Sequence, residues 1–222
     1  MWRRAWRSRG SRCRWRRSAR HTPEQSHPLC CNGLGERGLG GSLAPPELAP
    51  LLAERVTRVE AKLNAGEFAS RPLDDDLVLD LHRGIWGDLV PEWAGRWREI
   101  EVRVGNLTPP LPHEIAVLMR DYGRDVAARW DAAVREGGEL LLELLAYAEG
   151  RFLTVHPFRD FNGRTVRLFL SELLRRLDLP LAVLEPQGEV ARQAYFRALA
   201  AADGKDWRPL MGIWQERFAQ VP

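Results

Sequence analysis

From residue 42 onward, apolar positions recur at helical spacing. Leu48, Leu52, Val56, Val59 and Leu63 fall three or four apart and predict an amphipathic helix over 44–65. Ser42 or a neighbour caps it, Pro45 and Pro46 suit its first turn, and Gly66 ends it. Asp74 caps a second helix with the stripe Leu77, Leu81 and Ile85, closed by Gly87. After a tryptophan-rich stretch the period switches to two. Ile100, Val102 and Val104 alternate with Glu99, Glu101 and Arg103, which predicts a strand, and Gly105-Asn106 marks a turn. Pro109, Pro110 and Pro112 lead into a long helix with Ile115, Leu118, Tyr122, Val126 and Trp130 on one face. Gly137-Gly138 breaks it. Apolar helices follow over about 139–155 and 164–177, with Pro180 bounding the second. Two more helices fill a C-terminal extension over 186–219. The pattern is that of an all-α, mainly helical bundle with one small β-hairpin. A lone two-stranded ribbon is unstable in water. It must therefore lie on the helices or wait for something to pair with its edge.

Residues 1–41 follow no such period. They are rich in Arg, Ser and Gly and read as a disordered tail. Trp2, Trp6 and Trp15 interleave with arginines there, a composition that suits RNA or an anionic surface. A plain solvated tail and a start codon placed too early are the competing readings. The tail changes what net charge means. The chain of 222 residues has a formal charge of +3. Residues 1–23 hold nine arginines and no acid; the remainder has 24 basic against 30 acidic residues, a balance of −6. The body, residues 42–222, reads as a single domain and not as a nucleic-acid binder, which would carry its positive charge on a folded face. No run of 18 apolar residues occurs, so no transmembrane helix is expected. Cys13, Cys30 and Cys31 are the only cysteines, and all precede the body. That excludes a disulfide scaffold and cysteine chemistry in the body and fits a cytoplasmic location.

The candidate chemistry sits in one helix–loop–helix junction, His156-Pro157-Phe158-Arg159-Asp160-Phe161-Asn162-Gly163-Arg164-Thr165-Val166-Arg167. A helix N-terminus offers unpaired N–H groups and partial positive charge, a ready phosphate site. Gly163 permits close backbone approach. Arg164 and Arg167, three apart, share a face and can reach phosphate oxygens. Asp160 can hold Mg²⁺, which takes few carboxylates plus phosphate oxygens and water. His156 is a candidate general base near neutral pH. Phe158 reads as the residue that pins the loop into the core. His82 and His113 read as structural or exposed. The tryptophans at 86, 93, 97, 130, 207 and 214 read as core, and Asp74–Asp76 as a helix start.

These residues resemble the signature of the Fic family, H-x-F-x-[D/E]-[G/A]-N-[G/K]-R-x-x-R. His156, Phe158, Asp160, Asn162, Gly163, Arg164 and Arg167 meet it. Trp93-Ala94-Gly95-Arg96 with Arg98 looks like the family's W-A-G-x-x-R segment, and 99–104 looks like its flap. The resemblance covers about residues 70–180. It implies AMP transfer from ATP to a Ser, Thr or Tyr hydroxyl of a target protein. His156 would be the base, Asp160 the Mg²⁺ ligand, and Asn162, Gly163, Arg164 and Arg167 the phosphate-binding set. Glu99, Ile100, Glu101, Val102, Arg103 and Val104 would dock the target segment by strand addition. Gly163 in place of Lys separates the loop from the phosphorylating Doc-like branch. Phe161 departs from the family's Gly or Ala. This leaves as alternatives a degenerate scaffold that only binds a nucleotide or a protein, and an enzyme that moves another phosphate-containing group. The family's inhibitory helix motif has its nearest counterpart at 56–61, with Glu60 as the candidate inhibitory acid. Without such a Glu, restraint would come from an antitoxin chain, as in a toxin–antitoxin pair. A homodimer is a further family-based expectation.

Overall fold

The computed structural model describes residues 45–105 and 107–221, and the readings made for the Arg-rich tail lie outside them. Seven helices follow in order: α1 (Pro45–Asn64), α2 (Asp75–Trp86), α3 (Ile115–Glu136), α4 (Glu139–Val155), α5 (Asn162–Arg176), α6 (Gly188–Asp203) and α7 (Arg208–Ala219). A short 3-10 turn, Pro112–Glu114, leads into α3. Among the described residues no helix is long and apolar enough to cross a membrane.

Helix α4 sits at the centre because its sequence is apolar nearly all round. Leu144, Leu145, Ala146, Tyr147, Ala148, Phe152 and Val155 are all buried. It packs against α3, α5, α6 and α7. Gly150 allows this crowding. A Cβ there would lie 2.8 Å from Leu210 Cδ1 and 2.9 Å from Ala202 Cβ. On the other side α1 packs on α2 and α5. A two-pronged ion pair, Arg55 Nε and Nη2 to the Asp88 carboxylate at 2.7 and 2.6 Å, ties α1 to the turn after α2. Asp74 caps α2 by accepting the Leu77 N–H at 3.0 Å.

The C-terminal pair is stitched to α4 by charge as well as by packing. Arg217 donates to both oxygens of Glu149 at 2.7 and 3.1 Å and to the Leu184 carbonyl at 2.7 Å. Tyr195 Oη donates to Glu149 Oε1 at 2.7 Å.

The strand expected over 99–104 does not form. Among the described residues the only sheet pairing is a single antiparallel bridge between Val104 and Leu107 around Gly105. Val102 and Val104 are half-buried, but Ile100 is 44% exposed, so the alternation is only partly turned to one side. The segment has too few backbone partners among the described residues to build a ladder. We refer to residues 98–110 as the flap.

Candidate functional site

The chain stops being helical at His156 because its backbone turns left-handed, with φ of 50°. It becomes helical again just after Phe161, also left-handed at 60°. Non-glycine residues seldom adopt this region, so both positions need support from what surrounds them. Between them the loop folds on itself. Asn162 Oδ1 accepts the Phe158 N–H, and Asn162 Nδ2 donates to the Phe158 carbonyl, both at 2.9 Å. The Asn162 side chain is thus a clasp within the loop. The groups left to meet an anion are the first-turn amides of α5, which lack intrahelical acceptors.

Phe158 is fully buried and stacks on His82, ring centroids 3.8 Å apart and planes within 5°. His82 also links the loop to the segment after α2. Its Nδ1 accepts the Gly95 N–H at 2.9 Å, so Nε2 carries the proton it donates to the Asp160 carbonyl at 3.3 Å. Burial depresses this imidazole to about 3, the Asp160 hydrogen bond opposes the shift, and Arg83 adds to it. The ring is neutral and structural.

His156 is 6% exposed. Burial lowers its imidazole to about 4; a hydrogen bond to the Leu153 carbonyl resists this and the nearby Arg98 cation assists it. Nδ1 faces that carbonyl at 3.4 Å, which leaves Nε2 as the basic nitrogen. Asp160 is 4% exposed. Burial raises its carboxyl to about 6, against the pull of the Phe161 N–H, Arg164 and Arg159. Its Oδ1 accepts the Phe161 N–H at 2.7 Å. Among the described residues there is no group of three or more His, Cys, Asp or Glu that could hold a metal. One carboxylate fits Mg²⁺ only where phosphate oxygens and water complete the shell.

Phe161, the departure from the family pattern, points into the core. It is 5% exposed and meets Trp86 edge-on at 4.1 Å between centroids. The Arg164 guanidinium lies over its ring at 4.8 Å. Arg164 and Arg167 are both half-buried on α5. Glu60 is exposed on α1.

Two organisers of the site, His82 and Arg98, were not among the site residues expected from the sequence, where His82 reads as structural or exposed. His82 follows Val78 and Leu81 and precedes Ile85 on one apolar helix face, a spacing that marks it as buried. Arg98 was marked only by the W-A-G-x-x-R resemblance, and its side-chain partners at the loop lie 57 and 58 residues away.

The buried imidazoles give a stability prediction. An unfolded histidine titrates near 6.5, so below that pH the unfolded chain takes up protons that folded His82 and His156 refuse. Their contribution is complete above about pH 6.5 and is lost as pH falls toward 4. Asp160 acts the other way, because its raised carboxyl favours folding as pH falls from about 6. Two imidazoles outweigh one carboxyl. Thermal melts should show Tm falling between about pH 6.5 and 4, with a shallower slope in His156→Gln. A flat profile would contradict the burial of these rings.

The loop and the packing around it agree with what comparison with known proteins finds. Residues 72–174 match the Fic/DOC family model. The protein adenylyltransferase Fic of Drosophila persimilis is 32% identical over 134 residues, 60% of this chain and 25% of that protein. That of Drosophila ananassae is likewise 32% identical over 134 residues. The chain therefore spans about a quarter of the length of these curated relatives. Among solved structures, Fic-1 from C. elegans superposes with a TM-score of 0.62 at 24% identity, covering 80% of this chain and 52% of that one. BepC from Bartonella tribocorum, with bound AMPPNP, gives 0.57 at 17% identity, covering 86% and 98%. The helical bundle resembles that of the solved Fic structures, and residues 72–174, which hold the His156–Arg167 loop, match the Fic/DOC family model.

Proposed function

We propose that this protein transfers AMP from ATP to a Ser, Thr or Tyr hydroxyl of a target protein. The observation that carries the reading is the junction of α4 and α5. A buried, neutral imidazole there stands at one end of a loop whose other end is a helix N-terminus with two arginines. The names of the curated relatives and the AMPPNP bound to BepC support the same reading.

In this mechanism His156 Nε2 takes the proton of the target hydroxyl. The hydroxyl oxygen bonds to the α-phosphorus of ATP, the bond from that phosphorus to the α–β bridging oxygen breaks, and pyrophosphate leaves. His156 starts neutral because burial disfavours its charged form. The amides at the start of α5 and the side chains of Arg164 and Arg167 receive the negative charge of the phosphates. Asp160 is the residue that would hold Mg²⁺. When bound, the ion neutralises phosphate charge. Glu99, Ile100, Glu101 and Arg103 are exposed, and this segment would offer a target strand an edge to pair with.

Phe161 does not stand in the way of this chemistry, because its ring faces Trp86. Phe161→Gly removes that contact but relieves the left-handed backbone. It should cost about 2–3 kcal/mol of stability, below a full aromatic deletion. It should leave Mg²⁺-dependent ATP binding within about threefold. Urea unfolding and calorimetry check both numbers. A wild-type protein that binds no ATP while Phe161→Gly binds it would instead favour a blocked scaffold. The direct test incubates the protein with cell lysate and ATP carrying a radioactive α-phosphate. A labelled protein band that depends on His156 is expected.

A further inference from the structure

Arg98 is 3% exposed, yet all four hydrogen bonds of its side chain go to backbone carbonyls. Nε donates to the His156 carbonyl at 2.8 Å and Nη2 to that of Val155 at 3.4 Å. Nη1 donates to the Ile100 carbonyl at 2.9 Å, and Nη2 also reaches that of Pro110 at 2.6 Å. Its backbone N–H donates to the Pro157 carbonyl at 2.9 Å. One residue thus holds three consecutive carbonyls at the catalytic loop and both roots of the flap. The Val155 and His156 carbonyls lie at the C-terminus of α4, where the helix dipole concentrates negative charge. That, together with the nearby Glu101 carboxylate, offsets the burial of a guanidinium that hydrogen-bonds no carboxylate.

We propose that Arg98 is a positioning residue that joins the flap and the His156 loop into one unit. A target held on the flap is thereby held in a fixed relation to the base. The functional side of this inference rests on the AMP-transfer reading above; the mechanical coupling does not. Only a planar fork of donors reaches both limbs at once. A lysine ammonium is a single point and cannot span them. The bond to the His156 carbonyl also supports a left-handed residue that would otherwise relax.

Native-state hydrogen exchange tests this without any substitution. The N–H groups of Val104 and Leu107 bond to each other's carbonyls in the flap, and that of His156 bonds to the Phe152 carbonyl. If Arg98 joins the two regions, these three amides open together. They then show one opening free energy and one dependence on added denaturant, distinct from the amides of α7. Separate opening of His156 from the flap amides overturns the inference. In Arg98→Gln the three amides should exchange at least about tenfold faster while α7 is unchanged. Arg98→Lys should show the same joint loosening to a smaller degree despite keeping its charge. Loosening of the flap alone, or full protection in the lysine variant, also overturns it. In the labelling assay Arg98→Lys should lower AMP transfer about tenfold or more, with ATP affinity held within about threefold. An inactive wild type with jointly opening amides counts against the AMP-transfer reading and leaves the coupling standing.

Discussion

His156→Ala should lower AMP transfer by about a thousandfold, within the range general-base catalysis supplies. Among the described residues the one hydrogen-bond partner of the His156 ring is the Leu153 carbonyl at 3.4 Å, so the imidazole does little to hold the loop together. That work falls to Phe158 stacked on His82, to the Asn162 clasp and to Arg98. The variant therefore keeps its fold and its phosphate-binding groups. ATP affinity should stay within about threefold, while label transferred from α-phosphate-labelled ATP disappears. An alanine at a φ of 50° is no worse placed than the histidine it replaces. Undiminished labelling by His156→Ala would remove the base from the mechanism. Loss of both labelling and ATP binding would mean that the imidazole shapes the pocket, and the assigned role would fail as well.

The second large effect concerns stability. Arg217→Met should destabilise the protein by about 3–5 kcal/mol, because it strands a buried carboxylate. Glu149 is 1% exposed and would keep only the Tyr195 hydroxyl as a donor. Replacing both partners, with Glu149→Leu beside Arg217→Met, removes the stranded charge. The double variant should be more stable than Arg217→Met alone by about 1–3 kcal/mol. It does not return fully to wild type, since the Tyr195 hydroxyl and the Leu184 carbonyl lose a partner. Urea unfolding at neutral pH measures all four corners of the cycle. Equal stability of single and double variants would show that the pair is not sealed from water. The ion pair joins α4, which ends in His156, to the C-terminal helices. Weakening it should therefore loosen the loop before it unfolds the bundle.

Much of the architecture was legible along the chain because it rests on short-range pattern. The stripe Leu77, Leu81 and Ile85 with Asp74 before it is a local pattern that marks α2 and its start. Glycines at 137 and 138 break α3 from α4 because both need positive φ. The strand over 99–104 was misread for a physical reason. Alternation records only which side chains can face one way, and a strand also needs a partner for its backbone, which this segment lacks. Burial of the Asn162 amide inside the loop was equally out of reach, since its partner is chosen by a left-handed turn at Phe161.

What the sequence determined by itself is the inventory: the seven helices of the described residues, one loop with the residue types for phosphate chemistry, and the placement of positive charge at that loop. Those follow from period, capping and residue chemistry, which are local. The tertiary structure alone decided how that inventory works. Depth of burial made His156 and His82 neutral and raised Asp160. Packing turned Phe161 onto Trp86. A single guanidinium found carbonyls on both sides of the site. Desolvation and hydrogen bonding depend on neighbours that are distant in the chain, so no reading of local pattern can supply them.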